Sequence, residues 1–232
     1  MRRGVVLAGL LALLAGSAAA QCRQALALGL DVSGSVDERE YRLQLDGLAG
    51  ALTAPAVQAR LLAQPETPVR LAVYEWSGPR DMRLLVPWTA ITGPDRLRDV
   101  IETLSTTHRV RAHPGTALGT AMQTGIAMLE EQSECWKRTL DLSGDGKANA
   151  GIRPRDVPPA PPGITINGLI IGDPNAPTNE PFMELVAYYR AYVLRGPGAF
   201  VESALGFEAF EAAMQRKLLR ELQAVAIGAL AE

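Results

Sequence analysis

Ala25-Leu26-Ala27-Leu28-Gly29-Leu30 runs directly into Asp31-Val32-Ser33-Gly34-Ser35, and that junction decides how the chain folds. A short, continuous apolar run bounded by a polar loop reads as a strand buried on both faces, the signature of a parallel sheet covered by helices. Residues that leave the C-terminal end of such a strand stand where open α/β sheets bind their ligands. Asp31, Ser33 and Ser35 place oxygen-bearing side chains at every second position, so a locally extended backbone points them the same way. Carboxylate and hydroxyl oxygens suit a hard cation, and Mg²⁺ in particular takes few carboxylates and keeps some of its water. The stretch predicts a divalent-metal site on a strand-exit loop.

Outward from this junction, Asp37 and Glu38 open a helix that carries Leu45, Leu48 and Leu52 on one face. Pro55 interrupts it, and Gln64-Pro65-Glu66-Thr67-Pro68 is a loop. Val69–Trp76 and Met82–Val86 read as strands joined by a tight turn at Ser77-Gly78-Pro79. Pro94 begins a helix with Leu97, Val100, Ile101 and Leu104 together, and Thr116–Leu129 is another, entered through His113-Pro114-Gly115. Lys137–Leu142 and Ile164–Ile171 are strands. The segment between them, residues 153–163, is too rich in proline for a regular helix and reads as a stiff extended crossover. Glu180–Tyr192 and Phe207–Leu222 are helical, and Ala199-Phe200-Val201 is a short edge strand. Strands alternating with helices, plus one tight strand-to-strand turn, predict an α/β doubly wound fold: a mostly parallel sheet with one antiparallel edge strand.

Met1-Arg2-Arg3, the apolar stretch from Gly4 to Gly16 and the small residues Ser17-Ala18-Ala19-Ala20 form a basic, an apolar and a cleavage region in turn. This is the pattern of a secretory signal peptide over residues 1–20, followed by a single domain over 21–232. The apolar run is short for a membrane span. Removing twenty of the 232 residues leaves 212, enough for one sizeable core, and losing Arg2 and Arg3 moves the formal charge from −2 to −4. Mild acidity, few aromatics and the absence of a Lys/Arg-rich run exclude a nucleic-acid binder. Export implies an oxidising compartment, where the two cysteines, Cys22 and Cys135, suggest a bridge. Each lies just before a strand; if those strands are parallel neighbours, both sit at the sheet's N-terminal edge. Two separately buried thiols are the alternative.

Two further segments belong with Asp31, Ser33 and Ser35. Gly115-Thr116 sets a hydroxyl where a helix begins, and Asp141-Leu142-Ser143-Gly144-Asp145-Gly146 sets acidic residues at another strand end. Singly these are ordinary turn and cap residues. Together and in this order the chain resembles the von Willebrand factor A family and its metal-ion-dependent adhesion site (MIDAS), over about Gln24 to Leu222. The resemblance implies that Ser33, Ser35 and Thr116 offer hydroxyl oxygens to the metal and that Asp31 and Asp145 hold it directly or through water. It implies strand order 3-2-1-4-5-6, which sets the first and fourth strands side by side as a Cys22–Cys135 bridge requires. It implies Mg²⁺ or Mn²⁺, with a partner's Asp or Glu carboxylate completing the coordination. Ser143-Gly144-Asp145-Gly146, Asn149, Glu75-Trp76-Ser77-Gly78 and Gly196-Pro197-Gly198-Ala199-Phe200 look like a bacterial secreted von Willebrand factor A-like family known as a domain of unknown function. Pro114 stands where the wider family commonly has glycine.

Rival readings weaken on inspection. Asp141, Ser143, Asp145, Gly146 and Asn149 match the opening of a calcium-binding EF-hand loop, but its twelfth position is Ile152 and it starts on a strand. A Ser–His–Asp hydrolase needs a placed histidine, and of His108 and His113 only the latter falls near the metal loop, where shaping the turn explains it. A haloacid-dehalogenase-type phosphatase needs Asp where Ser33 stands, and no glycine-rich phosphate loop occurs. Glu75, Asn149 and Asp173 are candidates for a layer around the metal ligands, though a solvated loop carboxylate is the favoured role for Glu75. Trp76 and Trp88 are either a contact surface or core. The reading is an exported, periplasmic, non-enzymatic domain that captures an acidic protein ligand through Mg²⁺ or Mn²⁺. A metal-assisted envelope hydrolase and a metal-free structural protein are the alternatives.

Overall fold

The computed structural model describes residues 22–223, so the expected signal peptide at 1–20 lies outside the described residues. Six strands form one sheet in the order β3-β2-β1-β4-β5-β6. They are β1 (Gln24–Asp31), β2 (Val69–Trp76), β3 (Met82–Ala90), β4 (Lys137–Gly144), β5 (Ile164–Gly172) and β6 (Val201–Leu205). Every neighbouring pair is parallel except β2 with β3. Central β1 is buried at every position. Side-chain alternation sends Leu26, Leu28 and Leu30 to one face, against helices α1 (Glu38–Thr53), α3 (Pro94–Thr106) and α6 (Phe210–Glu221). Ala25 and Ala27 point to the other face, against α4 (Leu118–Glu130) and α5 (Glu180–Tyr192).

Local chemistry sets the element ends. Asp37 caps α1 by accepting from the Glu40 amide at 2.8 Å, and the Glu40 carboxylate returns a bond to the Asp37 amide at 2.9 Å. Pro55 does more than break α1: it occupies the first turn of a further helix, α2 (Pro55–Leu61), where its missing N–H is no loss. β3 runs on to Ala90 through Pro87, which an edge strand tolerates. The last strand begins at Val201, two residues after the expected start. The proline-rich crossover holds one 3₁₀ turn, Pro154–Asp156, and Arg195 fastens it by donating to the carbonyls of Pro154, Val157 and Pro158 at 2.7–3.0 Å. Trp76 is fully buried and Trp88 half-buried, so the tryptophan pair is not a contact surface.

Cys22 and Cys135 form a disulfide with Cα atoms 4.5 Å apart, beside the register pair Gln24 and Lys137 that starts the β1–β4 ladder. A second tie joins α6 to the middle of the sheet. Lys217, fully buried, lies 3.0 Å from Asp141 of β4 and 2.8 Å from Glu221, and Glu221 accepts from Asn167 of β5 at 2.7 Å. Asp141 therefore points away from the sheet's C-terminal edge and serves the attachment of α6.

Candidate metal centre

Three loops meet at the C-terminal edge of the sheet. The exit of β1 supplies Asp31, Ser33 and Ser35; the approach to α4 supplies Thr116; the exit of β4 supplies Asp145. Thr116 lies two residues before α4 begins, so its hydroxyl is free of helix capping. The first two loops touch through backbone: the Gly34 amide donates to the Pro114 carbonyl at 3.0 Å. A Cβ on Gly34 would stand 3.0 Å from Pro114 backbone atoms, so only glycine allows this approach without a shift.

The five side chains form a linked set. The Thr116 hydroxyl donates to Ser33 Oγ at 3.2 Å, Ser33 Oγ lies 3.3 Å from Ser35 Oγ, and Ser35 donates to Asp145 Oδ1 at 2.8 Å. Asp31 Oδ1 accepts the Ser33 amide at 2.9 Å. Asp31 Oδ2 is buried and has no hydrogen-bond partner among the described residues. Burial, helped by the nearby Asp145 carboxylate, pushes the Asp31 carboxyl up to about 7. Burial also raises the Asp145 carboxyl, against the pull of the Ser35 hydroxyl. Ser35 is exposed while Asp31, Ser33 and Thr116 are buried, so the set opens to solvent on its Ser35 and Asp145 side.

An orphaned buried carboxylate oxygen beside a second carboxylate and three hydroxyls is a donor set that fits a hard divalent cation. Among the described residues no group of three or more His, Cys, Asp or Glu side chains is placed to hold a metal, so a soft-metal centre is not formed.

Around the five stands a supporting layer. Asn149 Oδ1 accepts the Thr116 amide at 2.8 Å and its own amide donates to the Thr116 carbonyl at 3.0 Å, which fixes the Thr116 loop to the β4 exit. Glu75 lies elsewhere: its oxygens are taken by the Tyr41 hydroxyl at 2.9 Å and by Arg83 at 3.2 Å. Asp173 lines an open cavity with Ser35 and Asp145, and its Oδ1 accepts the Asn175 amide at 2.8 Å. His113 Nδ1 accepts the Gly115 amide at 2.9 Å and so shapes the turn.

Two further residues join the site without a motif to announce them. Gln44 of α1, fully buried, donates to the Asp31 carbonyl at 3.0 Å and accepts from the Ser143 hydroxyl at 3.1 Å, so it clamps the ends of β1 and β4 together. Tyr189 of α5 brings a buried hydroxyl that is unpartnered among the described residues. A Cβ on Gly144 would lie 2.7 Å from that hydroxyl and 3.1 Å from Asp31 Oδ2, so the bare glycine keeps both oxygens at the site. Burial and then the Asp31 charge hold the Tyr189 phenol well above its ordinary range.

Residues 21–226 match the family described as "Protein of unknown function (DUF1194)". No curated protein matches the chain. Solved structures with a similar fold include the open conformation of the pilus adhesin SpaC from Lactobacillus rhamnosus GG, at TM-score 0.59 and 15% identity over 87% of this chain and 30% of that one. A von Willebrand factor type A protein from Catenulispora acidiphila aligns at TM-score 0.59 and 16% identity, over 87% of this chain and 43% of that one. Proximal thread matrix protein 1 from the mussel byssus, with a zinc-occupied MIDAS motif, aligns at TM-score 0.54 and 15% identity, over 87% and 48%. The chain spans less than half the length of each. At these identities the likeness establishes the fold, which is of the von Willebrand factor A type.

Proposed function

We infer that this chain, which belongs to the DUF1194 family, is an exported binding domain that captures a partner's Asp or Glu carboxylate through Mg²⁺ or Mn²⁺. One observation carries the reading: five oxygen-bearing side chains from three loops converge at one sheet edge around a buried carboxylate oxygen that no other group among the described residues satisfies. A bound dication would supply an attachment point for an outside oxygen anion. The residues themselves set its strength. Asp31 and Asp145 bring at most two negative charges, and one oxygen from each of the five side chains leaves a position of a six-coordinate hard cation open for an external carboxylate. The exposed side of the set at Ser35 and Asp145 gives that carboxylate its approach. His113 is engaged in the turn, which supports binding rather than hydrolysis. The basic, apolar and small-residue run at the start of the sequence supports export, with the periplasm as destination. Among the described residues no helix is long and apolar enough to cross a membrane.

Calorimetry with Mn²⁺ and Mg²⁺ on the full chain, beside Asp31→Ala and Asp145→Ala, tests this. Saturable binding is expected in the parent and none in either variant, with circular dichroism unchanged. Equal affinity in parent and variants would sink the assignment. With the site established, capture of partners with and without chelator then separates a metal-bridged ligand from any other.

A further inference from the structure

At the other end of the sheet, α2, α6 and the starts of β1 and β4 enclose a cavity of about 440 Å³. Among the described residues Arg23, Arg60 and Lys137 line it and no carboxylate does. Arg23 donates to the carbonyls of Arg60 and Leu61, and Lys137 to the Glu221 carbonyl at 2.6 Å. These partners are the dipolar ends of α2 and α6, so they compensate the two cations only in part. Burial lowers the pKa of both. Arg60 is exposed.

The cavity continues into a groove between α2 and α6 that shares Arg60 and Gln223 with it. Arg216 and Arg220 join the rim there, Arg216 paired with Glu202 and Arg220 stacked 3.7 Å over Phe200, and again no carboxylate among the described residues lines the walls. The floor is apolar, built from Ala56, Ala59 and Leu219 in the groove and Ala63 and Leu222 in the cavity, with the half-exposed Trp136 at its side. In a chain whose formal charge is −2, five cations around an apolar floor, only Arg216 of them paired with a carboxylate among the described residues, are a local reversal of sign.

We propose that this cavity and groove bind an anionic amphiphile, an oxyanion head group on an apolar body. The head sits among Arg23, Arg60 and Lys137, where guanidinium forks and an ammonium match a phosphoryl or carboxyl group. The apolar body lies along the alanines and leucines, which gain by losing water. The site is separate from the candidate metal centre and stands independently of it. Its ligand is either a free amphiphile or a lipid still in a bilayer.

The test uses the full chain with octyl phosphate below its micellar concentration, inorganic phosphate and the uncharged octyl glucoside, read by calorimetry. Octyl phosphate is expected to saturate at one per chain, with inorganic phosphate at least tenfold weaker and octyl glucoside silent. Arg60→Glu, at an exposed position, should weaken octyl phosphate at least tenfold and Lys137→Gln several-fold, while Asp31→Ala leaves it unchanged. Sedimentation with phosphatidylglycerol or phosphatidylcholine vesicles assigns the source. Arg60-dependent binding to the anionic vesicles places the ligand in a membrane; binding to octyl phosphate alone makes it a free amphiphile. Equal affinity for phosphate and octyl phosphate, equal affinity for octyl glucoside, indifference to Arg60→Glu, or no binding in any arm would each overturn the proposal.

Discussion

Asp31→Asn should stabilise the metal-free protein while abolishing metal binding. Asp31 is 1% exposed, and burial beside Asp145 lifts its carboxyl from an ordinary 3.8 to about 7. Keeping it ionised in the fold therefore costs about 4 kcal/mol at high pH. Between pH of about 4 and about 7 the folded chain holds a proton on Asp31 that the unfolded chain has released, so stability falls as pH rises through that window and is level above it. Asparagine keeps an oxygen for the Ser33 amide but carries no charge; the weaker hydrogen bond returns about 1 kcal/mol. The variant should then exceed the parent by roughly 2–3 kcal/mol at a pH of about 8 in chelator, which is roughly 5–10 °C in Tm for a domain of this size. Near pH 4 the two should melt together. Adding Mg²⁺ at the higher pH should raise the parent's Tm and leave the variant's unchanged. Thermal melts at both pH values, with chelator and with Mg²⁺, decide it. A variant that melts below the parent in chelator at high pH, or that gains as much from Mg²⁺, refutes the reasoning.

Two other expectations concern what holds the sheet. Lys217→Met leaves Asp141 and Glu221 buried without their cation, which should remove about 3–5 kcal/mol of stability in urea unfolding. Burial already pushes the Asp141 carboxyl up to about 7 against the pull of Lys217, so without Lys217 it keeps its proton to higher pH, and the deficit should be smaller in mild acid than at pH of about 8. Replacing Cys22 and Cys135 together by serine opens a link across 113 residues and should cost about 4–5 kcal/mol on the chain-entropy account, measured as a lower urea midpoint. Mn²⁺ binding should survive, since the bridge and the metal loops lie at opposite edges of the sheet.

The part of the site that could be read from sequence is the part with local grammar. Asp31, Ser33 and Ser35 sit on one loop at alternate positions, and Thr116 and Asp145 each follow a recognisable boundary. Gln44 could not be found that way, because its spacing from Tyr41, Leu48 and Leu52 marks only a buried helix face, and polarity on such a face has meaning only when β1 and β4 are seen to end against it. Tyr189 hides among three tyrosines of one helix. Asp141 is the instructive case. It shares a motif-like stretch with Asp145, yet it lies four residues earlier, inside β4 rather than beyond its end, and there it meets Lys217, whose position on the Phe210–Met214 stripe reads as apolar core. Helix α2 was hidden because a seven-residue helix has too few turns to show a period, and its proline signals an end as readily as a beginning.

The two edges of the sheet also explain each other's chemistry. The N-termini of α1 and α4 open beside Ser35 and Thr116, and their dipoles favour negative charge. A cation placed there is repelled unless carboxylates hold it, which accounts for Asp31 and Asp145. The same dipoles then attract any outside anion that approaches the ion, so few charged ligands and two helix ends together favour capture of a carboxylate. At the opposite edge the ends of α2 and α6 turn carbonyls outward, and Arg23 and Lys137 are drawn to them. Those carbonyls carry only part of a charge, whereas the cations carry whole ones, and Arg60 and Arg220 add to the excess at the same wall, where Glu202 already balances Arg216. On these two proposals, a mostly parallel sheet flanked by helices presents an anion-seeking surface at both edges for different reasons: through helix N-termini and a bridging ion at one, through surplus arginine and lysine at the other.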